Sequence, residues 1–126
     1  MSAVFARRVF FWSGIYGIVV LAPQYFMERT LGEAFPPAFS HPEQFYGFLG
    51  VALAWQFAFL LIARDVVRYR LFMLPAAAEK LLFACAVFVL YAHGRTAAFA
   101  AGAATVDFVL GMLFPLSFGS LRSASR

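Results

Sequence analysis

Four apolar runs, at about residues 9–27, 45–63, 71–92 and 96–118, fill most of this 126-residue chain, and Arg, Pro or Gly separates each from the next. A helix rises 1.5 Å per residue, so runs of this length match the roughly 20 residues needed to cross about 30 Å of hydrocarbon. Lipid cannot hydrogen-bond a bare backbone, which leaves helices as the form these runs must take. The expected fold is therefore all-α: one polytopic membrane domain over residues 1–126, with four transmembrane helices in an antiparallel up-down bundle.

Composition supports the same class. Hydrophobic residues make up 63% of the chain and charged residues 13%, with 17 Phe and a mean hydropathy of +0.81. A soluble domain is about half apolar and a quarter charged, and 126 residues cannot hide the surplus inside one water-soluble core. The single Cys85 excludes a disulfide within the chain and any paired-cysteine redox or zinc motif. The first run is too long for the apolar core of a cleaved signal and has no clear small-x-small site, so it is expected to remain as a span.

Arginines fix the expected orientation. Arg7, Arg8, Arg64, Arg68, Arg70, Arg122 and Arg126 fall on one side of the four runs, while only Arg29 and Arg95 fall on the other. By the positive-inside rule both termini and the middle turn are cytoplasmic. The net charge of +4 is thus a topology signal, and nucleic acid is not an expected partner. Asp65 is placed to pair with Arg68 if the second helix continues through that turn.

The first outer connection, about 28–42, holds Glu28, Glu33 and a Phe35-Pro36-Pro37 break, read as extended backbone. Ser40 with Glu43 three residues later has the form of a capping box, and Pro42 fits the first helical turn. His41 and His93 fall on this side with Glu28, Glu33 and Glu43. None of these pairs has the i, i+4 spacing of helical ligands, and no metal site is expected.

The chemistry concentrates in mid-membrane. Counting from Gly94, Lys80 is 14 residues back and Asp107 is 13 forward, so both lie about 20 Å below the outer turn. The same count from Val67 brings Gln56 and Glu79 level, and Tyr16 is about 12 Å inward of Arg8. An ionisable group at this depth costs about 2.5–3.5 kcal/mol on insertion scales and signals function by default. The candidate ligand- or proton-binding residues are Glu79, Lys80, Asp107, Gln56 and Tyr16, with Trp55 as an aromatic lining. Small residues repeat beside them, in Ala103-Asp107-Gly111 and Ala76-Lys80-Ala84, as on helices that approach closely.

Two structural readings stand beside the functional one. Lys80 and Asp107 are an ion pair that sets register, with Glu79 bonded to Gln56. Alternatively, Pro75 marks the true helix start and Lys80 snorkels to the interface. On the functional side, the cluster suits a binding or accessory protein for a lipophilic small molecule or a membrane partner. The alternative is a proton-coupled transporter working as a dimer. No phosphate loop, HExxH or nucleophile elbow occurs, so an enzyme is disfavoured, and no cofactor is expected.

The stretch Tyr46-Gly47-Phe48-Leu49-Gly50 through Trp55-Gln56, followed by Ala63-Arg64-Asp65 and Arg68-Tyr69-Arg70, resembles the DoxX-like group of small four-span inner-membrane proteins. The resemblance implies a compact four-helix membrane fold, and some of that group are linked to quinone-connected redox or thiol metabolism. No functional residue transfers, because this chain has one cysteine. Its size and Glu79 are also similar to small multidrug transporters, but their essential Glu lies in the first span, where this chain has no acid before Glu28.

Overall fold

The computed structural model describes residues 3–37 and 40–124. The described chain is all-helical: α1 (Ala3–Leu21), a 3-10 turn (Ala22–Phe26), α2 (Glu28–Ala34), α3 (Pro42–Arg64), a 3-10 turn (Arg70–Phe72), α4 (Met73–Ala92) and α5 (Ala98–Ala124). Four segments are long and apolar enough to cross a membrane: Ala3–Phe26, Pro42–Arg64, Arg70–Ala92 and Ala98–Leu121. Only 17–33% of the residues in their most apolar windows are buried, so most of each helix presents apolar side chains outward, as lipid requires. Trp12, Val19, Leu82 and Phe99 are among these, each more than half exposed. Arg126 and the side chain of Arg122 lie outside the described residues.

The helix boundaries differ from the sequence expectation for identifiable reasons. α1 begins six residues before residue 9, because Arg7 and Arg8 are good helix formers and continue the helix past the apolar run. It stops at Leu21 since Pro23 cannot donate to a preceding turn, and the chain tightens into the 3-10 turn. The first outer connection contains α2, where no helix was expected. Tyr46 Oη donates to Glu28 Oε2 at 2.9 Å, tying its first residue to α3. The residue capping α3 is His41, not Ser40, and His41 Nδ1 lies 3.4 Å from Glu43 Oε1. α3 ends at Arg64, and Asp65 Oδ1 accepts the backbone N–H of Arg68 at 3.1 Å, closing a turn in place of the expected side-chain pair. Pro75 lies in the first turn of α4, where a missing N–H is harmless.

Packing is uneven. α4 lies against α5 along most of its length, α1 against α3, and α1 against α5, while α3 and α4 touch at few points. One apolar core joins the beginning of α1, the end of α3, the beginning of α4 and the end of α5. At its centre Phe10 stacks on Phe114 at 4.1 Å between ring centroids, with Phe59 edge-on to both. Arg70 seals that end: its Nε donates to the Phe118 carbonyl at 3.1 Å and its guanidinium lies 3.8 Å over the Phe118 ring.

Towards the other end the core divides. Leu21, Leu49 and Ala52 form one cluster between α1 and α3, and Ala84, Val87 and Ala104 form another between α4 and α5. Across the gap, Phe48 stacks on Phe83 and Phe35 on Phe99. The molecule is thus closed by a four-helix apolar plug at one end and separated into two helix pairs at the other.

Candidate functional site

A cavity of about 50 Å³ lies where the core begins to divide, walled by all four long helices. Tyr16 comes from α1, Gln56 from α3, Glu79 and Lys80 from α4, and Asp107 from α5. Five of the six residues singled out in the sequence therefore share one space. Trp55 does not: it sits outside the lining and packs obliquely on Phe59, against the apolar plug. Being next to Gln56 on a helix, it points about 100° away from it.

Close helix approaches build the cavity. At Gly111, a Cβ would come within 2.8 Å of the Leu81 side chain and 3.1 Å of the Lys80 Cβ, so glycine lets α5 lie this near α4 without displacing Leu81. That approach, one turn from Asp107, brings Lys80 Nζ to Asp107 Oδ1 at 3.1 Å. Lys80 is 3% exposed and therefore does not snorkel; its ammonium also lies 5.3 Å from the Phe59 ring. On the opposite wall, a Cβ at Gly17 would overlap the Gln56 carboxamide, which fills the space beside α1.

Gln56 and Glu79 do not form the hydrogen bond expected between them. Gln56 turns Nε2 back to the Ala52 carbonyl at 2.8 Å, which leaves its buried Oε1 without a partner, although the residue is 1% exposed. Glu79 Oε2 is likewise buried and unpartnered, as is Ser13 Oγ one turn nearer the closed end. Ser13 lies outside the cavity lining, whereas Gln56 and Glu79 are part of it; buried polar groups are satisfied in the great majority of cases, so these two unmatched acceptors point to a donor that enters the cavity.

The outer-side acids and histidines are dispersed. Glu28 is engaged by Tyr46, Glu33 by Arg29 at 3.2 Å, and Glu43 by His41. Phe48 and Phe83 also line the cavity. Phe48 was missed as a lining residue, although Phe48, Ala52 and Gln56 repeat at i, i+4, i+8, a spacing that puts them on one helical face.

Fold and site together define a class: an all-helical protein with four candidate membrane spans around a small, partly open cavity into which a few polar side chains converge. No protein-family model matches the chain, and no curated protein or solved structure matches it significantly.

Proposed function

We propose that this chain is a four-span protein of the bacterial inner membrane, with both termini cytoplasmic, that binds and releases protons at its core cavity and serves as a proton-coupled carrier of a small solute. The observation that carries the reading is the pair of buried, unpartnered acceptors, Gln56 Oε1 and Glu79 Oε2, beside the Lys80–Asp107 ion pair. A carboxylate held at this depth with an unmet bonding position is the kind of group that relays protons in membrane proteins. Alternating helix ends in the apolar plug support an antiparallel up-down bundle. The arginine distribution supports the orientation.

The cavity's size bears on the cargo. About 50 Å³ holds a few water-sized bodies, whereas pockets for drug-sized organic ligands run from roughly 300 Å³. The Phe10–Phe59–Phe114 plug would block water at one end, and the gap between helix pairs offers a route from the other. A second reading, a binding or accessory protein for a lipophilic molecule, draws on the sparse α3–α4 contact, which would let an apolar tail leave sideways between Phe48 and Phe83.

The test is proton flux into liposomes that hold the purified chain and a trapped pH dye, driven by a potassium diffusion potential. Acidification several-fold faster than in protein-free vesicles, abolished by Glu79→Gln, is expected. Equal rates for the natural chain, the variant and empty vesicles would refute proton exchange.

A further inference from the structure

Lys80 shows how this interior holds an ammonium group: one carboxylate oxygen of Asp107 at 3.1 Å and an aromatic ring, Phe59, at 5.3 Å. The rest of the cavity wall repeats those ingredients. Glu79 supplies a carboxylate with Oε2 unpartnered, Gln56 a carbonyl oxygen with no donor, Tyr16 a hydroxyl, and the Phe48–Phe83 stack an aromatic wall. Gln56 is the strongest indication of a ligand. Its Nε2 bond to Ala52 fixes the orientation of the amide, and glycine at position 17 makes room for it, so the free Oε1 is held in place by its surroundings.

We infer that the cavity binds a primary ammonium group, as ammonium itself or as the head of a small alkylamine, with Gln56 Oε1 and Glu79 Oε2 as its acceptors. This rests on the proposed role of the cavity as a proton-exchanging site and names its cargo. Three arguments select this chemistry. Asp107 already balances Lys80, so Glu79 contributes one unbalanced negative charge, which suits a monovalent cation. The two unmet atoms on the cavity wall, Gln56 Oε1 and Glu79 Oε2, are acceptors, and an ammonium presents donors in several directions. Its charge is also attracted to aromatic faces.

Metal cations fit less well. Hard cations such as calcium take about six to eight oxygens, more than Gln56, Glu79 and Tyr16 together supply. Among the described residues no three His, Cys, Asp or Glu side chains converge as metal ligands. A quaternary ammonium has no N–H donor and would leave Gln56 Oε1 unsatisfied. Exchange is balanced in charge and atoms: a cation enters as Glu79 gives up one proton and leaves when the proton returns, and with no amine present the emptied site returns charged, so a membrane potential drives protons through it. The titratable groups facing Glu79 across the cavity are Tyr16 on α1 and Asp107 on α5, with Lys80 beside it on α4; α3 contributes the neutral Gln56.

The experiment is thermal unfolding of the full chain in detergent, titrated with the chlorides of ammonium, methylammonium, hexylammonium, potassium and tetramethylammonium at constant ionic strength. A ligand that binds only the folded state raises Tm in a saturable way. Methylammonium is expected to half-saturate at a concentration roughly tenfold or more below potassium, the discrimination one charge-assisted hydrogen bond supplies. Tetramethylammonium is expected to have no effect. Tighter binding of hexylammonium than of methylammonium identifies an amine with a tail, and equal binding of ammonium and methylammonium identifies the bare ion. Gln56→Leu should remove the shift. Ala103→Leu, which fills the cavity and leaves every polar group in place, should remove it too, and serves if Gln56→Leu does not fold. Equal shifts with potassium and methylammonium would overturn the inference. So would the absence of any shift in a chain that still shows Glu79-dependent proton flux, a result that leaves the proton-exchange reading standing; loss of both removes both.

Discussion

Replacing Asp107 with leucine should damage the fold more than replacing Lys80 with methionine, although each breaks the same ion pair. The asymmetry follows from burial: the Lys80 side chain is 3% exposed and that of Asp107 17%. Without Asp107 the ammonium loses its hydrogen-bonded carboxylate and keeps the Phe59 ring, 5.3 Å away, while Glu79 stands beside it on the same helix. An abandoned buried charge costs about 3–5 kcal/mol, which lowers the folding equilibrium constant by roughly two to four powers of ten. Without Lys80 the carboxylate still borders a cavity that admits water, and the loss should be nearer the 1–3 kcal/mol of an unsatisfied polar group. The double variant Lys80→Met/Asp107→Leu removes both charges and should recover to the natural stability or exceed it by about 1–4 kcal/mol. Unfolding by sodium dodecyl sulfate in mixed micelles, followed by circular dichroism, measures all four chains. An Asp107→Leu chain that unfolds at the natural detergent fraction, or a double variant weaker than the worse single one, would refute a buried, mutually dependent pair.

The same titration checks three further expectations. Gly17→Ala should cost about 1–3 kcal/mol by forcing Gln56 aside, and adding Gln56→Ala should recover part of the loss, since the two changes share one space. Phe114→Ala, within the apolar plug, should cost about 3–5 kcal/mol, whereas Phe26→Ala, at a ring 91% exposed, should stay within about 0.5 kcal/mol. Arg70→Ala should cost about 1–2 kcal/mol by losing the Phe118 carbonyl and ring together, and Arg70→Lys should not restore it, because a lysine ammonium lacks the flat guanidinium that stacks there.

The four long helices were legible because length and hydropathy are sums over some 20 residues, which no single neighbour overrides. Depth was legible too. Counting outward from Gly94 sets Lys80 level with Asp107, and the two side chains meet at 3.1 Å. Direction around the helix was less so. Trp55 was chosen for its residue type and faces the plug, while Phe48, on the same face as Gln56, went unnoticed. The bond from Gln56 to Ala52 depends on how closely α3 approaches Gly17, a tertiary fact that α3 alone does not encode. α2 illustrates the same point: seven residues hold little helical preference of their own, and the Tyr46–Glu28 contact that anchors them spans 18 positions of sequence.

The position of the ion pair has a consequence for how the chain enters a membrane. Residue for residue, α4 is the costliest span to deliver into lipid, since it carries Glu79 and Lys80 side by side, and the charge that neutralises Lys80 lies 27 residues downstream. During synthesis that counter-charge does not exist until α5 has been made. The short connection after α4 then lets both helices fold back on each other at once, so the last two spans are expected to leave the insertion machinery as one hairpin, already neutral at its Lys80–Asp107 contact, and to meet α1 and α3 only afterwards.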